Sequence, residues 1–143
     1  KLLKDFLKGN ITLKERVVDW QEAVKIAAQK LLEKGNIEEN YIEKMIGNIN
    51  KLGPYIVLAD DVAMPHSRPE DGVNKTGISL LKLNEGVSFG EETSVRLIFI
   101  LAAQDSNSHI EMITELVDML QDEEKLFNIL QSKTEDEIIK ILK

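Results

Sequence analysis

The longest apolar stretch in the chain, Leu97 to Ala103, includes five consecutive large side chains, Leu97-Ile98-Phe99-Ile100-Leu101. An alternating strand can leave one face in water, but a continuous run needs cover on both faces. Ser94 to Ala102 is therefore predicted to be a central strand with helices on either side. The flanking patterns supply them. Trp20, Ala23, Val24, Ala27, Ala28 and Leu31 share one helical face, with Asp19 as cap, Leu32 as the last helical residue and Lys34-Gly35 as the stop.

A second helix is expected over Glu38 to Leu52, with Tyr41, Ile42, Met45, Ile46 and Ile49 on its apolar stripe and Gly53-Pro54 closing it. From Ser108 onward, Ile110, Ile113, Leu116, Val117 and Leu120 form another stripe, and shorter helices follow at Glu123 to Leu130 and Glu135 to Leu142, the last capped by Thr134. Strands are read at Ile11 to Val18, Tyr55 to Ala59 and Thr76 to Leu83. Leu2, Leu3, Phe6 and Leu7 mark a short amphipathic helix over residues 1–9, stopped by Gly9-Asn10 and expected to pack loosely. The fold class is α/β: a single domain over residues 1–143, with a mixed sheet of four or five strands flanked by helices.

Composition narrows what such a domain does. At 143 residues it can bury about two-thirds of its unfolded surface, without disulfides or metals to hold it together. It has no cysteine, which removes thiolate metal sites and a cysteine nucleophile and is compatible with a reducing cytoplasm. The net charge of −7 disfavours nucleic acid as a partner and favours a basic protein. No apolar run approaches the roughly 20 residues that span a bilayer, and no signal-peptide pattern is seen. Because residue 1 is Lys, the natural start is expected upstream.

Chemistry concentrates in Ala63-Met64-Pro65-His66-Ser67-Arg68-Pro69-Glu70-Asp71-Gly72. Pro65 and Pro69 fix their own φ angles and push Met64 and Arg68 toward extended backbone, so His66 is expected on a stiff loop after a strand. In α/β folds that is where ligand-contacting residues gather. Imidazole titrates near neutral pH and can act as a nitrogen nucleophile, and Arg68 offers a donor fork suited to phosphate. The pair points to phosphoryl chemistry. Arg68 has a second reading, an exposed pair with Glu70 or Asp71 worth about 0–1 kcal/mol. Ser67 is either a second phosphate donor or a turn former.

The other histidine, His109, falls where the loop after the central strand enters a helix, with Ser108 or Asn107 as expected cap. Free N–H groups there would favour a bound anion. It is either a surface residue or a partner converging on His66. Asp60-Asp61 and Gln121 to Lys125 read as solvated turns. No metal-ligand spacing and no glycine-rich phosphate loop is present, so no metal or cofactor is expected.

The run from Ala63 to Val73 resembles the phosphorylation-site signature of the EIIA components of the bacterial phosphoenolpyruvate-dependent sugar phosphotransferase system (PTS), mannitol/fructose class. The likeness extends through Trp20-Gln21-Glu22-Ala23-Val24, Leu52-Gly53-Pro54-Tyr55, Val87-Ser88-Phe89-Gly90 and His109-Ile110. The Met-Pro-His-x-Arg-Pro-Glu form is most similar to the ascorbate-type subgroup.

The resemblance implies a cytoplasmic phosphoryl carrier without cofactor or metal. His66 would accept phosphate from the carrier protein HPr and pass it to a cysteine of an EIIB partner, which serves a membrane EIIC transporter. His109 would be the second site histidine. Mannitol-type relatives carry an arginine between the second helix and the site strand, where this chain has Asn48, Asn50 and Lys51, so Arg68 is the candidate replacement. Two successive partners must reach His66, so an apolar surface is expected around it, with Met64, Val73 and Ile110 as candidates. The alternative is a regulatory EIIA-like domain whose phosphorylation state controls a partner such as a transcriptional regulator. A hydrolase with His66 as general base lacks an accompanying nucleophile elbow.

Overall fold

A computed structural model describes residues 3–142. One five-stranded mixed sheet runs in the order β1-β4-β5-β3-β2, built from β1 (Ile11–Lys14), β2 (Val57–Ala59), β3 (Asp61–Ala63), β4 (Gly77–Val87) and β5 (Val95–Ala102). β4 and β5 are antiparallel, β1 is parallel to β4, and β3 is parallel to β5. The apolar run lies in β5, between β4 and β3, as its two-faced hydrophobicity requires.

Successive side chains of β5 alternate between two cores. Ile98, Ile100 and Ala102 join Ala23, Val24, Ala27 and Leu31 of α2 (Trp20–Glu33) and Tyr41, Met45 and Ile49 of α3 (Glu39–Leu52). Leu97, Phe99 and Leu101 join residues of α1 (Leu3–Leu7), α4 (Ser106–Leu120), α5 (Glu123–Gln131) and α6 (Glu135–Ile141). Asp19 caps α2 through Glu22 N and Thr134 caps α6 through Glu137 N, as predicted.

Several expectations need correction. The first strand ends at Lys14 instead of Val18, and Val18 is 86% exposed. The N-terminal helix is not loosely packed: Leu3 and Leu7 are buried in the second core, and the Asn10 amide ties Phe6 O to Ile78 O. Leu2 lies outside the described residues. Asp60-Asp61 forms a turn, as expected, with Asp60 exposed. It is the turn of a β2–β3 hairpin, with Asp61 at φ 70° opening a three-residue strand too short to show a period.

The helix carrying His109 begins at Ser106, and its cap is Asp105, whose carboxylate accepts from Ser108 N at 2.7 Å. On the same helix, Val117 and Ile110 point outward, at 37% and 60% exposure.

Candidate functional site

The parallel pairing of β3 with β5 brings the two histidines together. Both strands end at the same edge of the sheet, so the chain leaving β3 and the chain leaving β5 emerge side by side. Past β3, Leu101 N donates to Pro65 O and His66 pairs with Leu101 in a parallel bridge. Past β5, Asp105 turns the chain into α4 and sets His109 in its first turn. The imidazole centroids lie 5.6 Å apart with planes at 62°. Tyr55 stands edge-on to His66 at 6.3 Å.

His66 Nδ1 lies 3.0 Å from Met64 O. A carbonyl only accepts, so this contact makes Nδ1 the donor and selects, for the neutral ring, the tautomer with its lone pair on Nε2. In the neutral ring the reactive nitrogen is thereby fixed as Nε2. Burial chiefly, and His66 secondarily, push the His109 imidazole below the ordinary histidine range. A neutral His109 offers one N–H donor and no charge of its own.

The loop is held from beneath by Tyr41, whose side chain is fully buried. Its hydroxyl donates to Leu101 O at 2.6 Å and accepts from Ser67 N at 2.9 Å. Burial pushes this phenol up to about 12, so it keeps its proton. Gly72, at φ 136°, closes the loop against the start of α3, where an added Cβ would come within 3.2 Å of Tyr41 Cβ and Tyr41 N.

Ser67 Oγ donates to Asp71 Oδ2 at 2.5 Å and receives a contact from Asn48 Nδ2 at 3.3 Å. That hydrogen bond from Ser67 holds the Asp71 carboxyl below the usual range, helped by Arg68 N and, at longer range, by Lys44 and the Arg68 side chain. The Arg68 side chain makes no ion pair with Glu70 or Asp71. Among the described residues the ion pair is Arg16–Glu85, far along the chain. Arg68 is exposed and lines an open cleft of about 760 Å³ together with both histidines and Ser67.

The expected free donors at the N-terminus of α4 are largely occupied. Asp105 accepts from Ser108 N, the main cause of a carboxyl held below its usual range. Of the expected apolar contacts, Ile110 is exposed at the cleft, whereas Met64 is 4% exposed within the second core. Val73 packs on the first core. Leu52 and Tyr55, 64% and 45% exposed, line the cleft instead.

The sequence patterns give no site role to Lys44 or Tyr55 and no polar role to Tyr41, and they single out Asn48 only as standing where mannitol-type relatives carry an arginine. A signal for two of them existed: Lys44, Asn48 and Leu52 recur every fourth residue, off the apolar stripe of their helix. Among the described residues no group of three or more His, Asp or Glu side chains is placed to hold a metal ion. No helix there is long and apolar enough to cross a membrane.

A sequence profile described as "Phosphoenolpyruvate-dependent sugar phosphotransferase system, EIIA 2" matches residues 5–143. The mannitol-specific cryptic phosphotransferase enzyme IIA component of Escherichia coli K12 is 40% identical over 138 residues, covering 96% of this chain and 94% of that protein. Its solution structure superposes with a TM-score of 0.91 at 39% identity, over 99% of this chain and 98% of that one. The ascorbate-specific PTS system EIIA component of the same strain is 36% identical over 145 residues, covering 98% and 94%. Enzyme IIAMTL of Escherichia coli, in a complex with phosphorylated enzyme IIBMTL, matches with a TM-score of 0.81 at 33% identity, covering 93% of each chain.

Proposed function

The chain belongs to the EIIA 2 family of the phosphoenolpyruvate-dependent sugar phosphotransferase system, and from that membership we propose that His66 carries the phosphoryl group. It receives the group from phospho-HPr on Nε2 and hands it to a cysteine of an EIIB partner, in the cytoplasm, during uptake of an ascorbate-like sugar through a membrane EIIC. The observation that carries this reading is the 3.0 Å contact of His66 Nδ1 with Met64 O, which makes Nδ1 the donor and turns Nε2 of the neutral ring into the nucleophilic nitrogen.

Phosphoryl transfer asks little of a protein beyond placing the nucleophile and countering charge. In the attack, Nε2 forms a bond to phosphorus as the donor's N–P bond breaks, and the donor nitrogen keeps the bonding pair. The proton stays on Nδ1, donated in a hydrogen bond to Met64 O throughout, so no base is needed. His109 donates a hydrogen bond to the transferred group, and Arg68 adds positive charge from the loop. Ser67 contributes a donor to phosphate only when its proton leaves Asp71; with that bond formed it holds the loop. Asp71 and Asp105 limit how tightly phosphate binds, which keeps onward transfer possible. The exposed Leu52, Tyr55 and Ile110 suit two partners in succession. That the related IIAMTL has been seen with phosphorylated IIBMTL supports an EIIB as one of them.

Incubation with phosphoenolpyruvate, Enzyme I and HPr is expected to label wild-type protein at one histidine and to leave His66→Ala unlabelled. Undiminished label on His66→Ala would exclude His66 as the carrier.

A further inference from the structure

Lys44 is a cation of the cleft that the loop sequence does not contain. Lys44, Asn48 and Leu52 fall at i, i+4 and i+8 on α3, so one stripe of that helix lines the cleft that also holds His66 and His109. Lys44 is exposed, and among the described residues it makes no ion pair. The chain has 25 acidic residues against 18 basic ones, so carboxylate partners are abundant. An ammonium in no close ion pair, whose long-range attraction to Asp71 still leaves it exposed beside His66 in the cleft, is positive charge available to an incoming anion.

The local balance points the same way. Asp71 and Asp105 line the cleft with negative charge, and His66 and His109 stand beside each other. A phosphoryl group on Nε2 adds further negative charge to this space. Arg68 alone does not offset two carboxylates and a phosphoryl group; Arg68 with Lys44 comes nearer to balance. An ammonium on a flexible four-carbon stem is also suited to a group that moves, because it follows the oxygens as a point charge instead of fixing them in a fork.

We propose that Lys44 binds the phosphoryl oxygens directly during transfer to and from His66, acting from α3 while Arg68 acts from the site loop. This rests on His66 as carrier. In the step, the Nε2–P bond forms while the donor's N–P bond breaks, and Lys44 gives up no proton; it only neutralises charge on the oxygens. Lys44 is then a catalytic residue, distinct in kind from Tyr41, which works through the loop.

The test is single-turnover labelling of Lys44→Gln and Lys44→Arg across a range of phospho-HPr concentrations, with folding checked by circular dichroism. Lys44→Gln is expected to lower the maximal rate about tenfold while half-saturation by HPr changes less than about twofold. Lys44→Arg should recover most of the rate. An unchanged maximal rate, or a loss confined to half-saturation, would overturn the proposal by leaving Lys44 no role beyond partner docking. The His66→Ala control separates the premises: label on that variant refutes the carrier, whereas normal transfer in Lys44→Gln refutes Lys44 alone.

Discussion

At the scale of single residues, the neutral His109 makes the folded protein sensitive to pH. Burial, and then the neighbouring imidazole, lower its proton affinity in the fold, whereas in the unfolded chain it titrates near its ordinary value. Below about pH 6.5 the unfolded chain therefore binds the proton more readily. The stability contributed by neutral His109 is complete above that pH and is lost as pH falls through the lower folded value. Thermal unfolding should show a midpoint that drops between pH 7.5 and 5.5, with a shallower drop in His109→Gln; equal slopes would remove His109 as the cause. Proline placement and residue type made His66 and Arg68 legible in the sequence. The absence of an Arg68 ion pair, and the aim of Lys44, depend on side-chain positions that one-dimensional spacing does not contain.

At the scale of elements, the site is a meeting of two strand ends over one helix. Periodicity finds β5 and the continuously buried part of β4, but β4 runs on to Val87, past the expected end at Leu83, through the exposed Asn84, Glu85 and Gly86. β3 escaped because three residues opening on an aspartate carry no pattern, yet β3 is what aligns His66 with Leu101. Helical spacing places Tyr41 in the core, and it is core; its hydroxyl, which joins α3 to Leu101 and Ser67, is invisible to a hydrophobic pattern. Tyr41→Phe leaves a buried carbonyl and a half-buried amide without that partner, at a cost of about 1–3 kcal/mol. Chemical denaturation should register that loss, and labelling of His66 should slow because the residue after it is no longer fixed. A variant as stable as wild type would mean that these two backbone groups find other partners.

For the whole molecule, the question is whether two cores separated by a sheet behave as one cooperative unit. β5 contributes alternate side chains to both, so loosening it from one face removes support from the other. Trp20, the single tryptophan, packs against the first core beside Phe89, with ring centroids 5.9 Å apart. Phe99, 1% exposed, lies in the second. Phe99→Ala should cost about 3–5 kcal/mol through lost burial and the cavity left behind. If the sheet couples the cores, Trp20 fluorescence and far-ultraviolet circular dichroism will shift together to lower denaturant, as in a two-state domain. If Trp20 instead keeps its wild-type transition while helical signal is lost earlier, the α4–α6 layer unfolds separately. His109 would then depart with that layer while His66 stayed with β3, and phosphoryl transfer would fail at denaturant concentrations where Trp20 still reports a folded core.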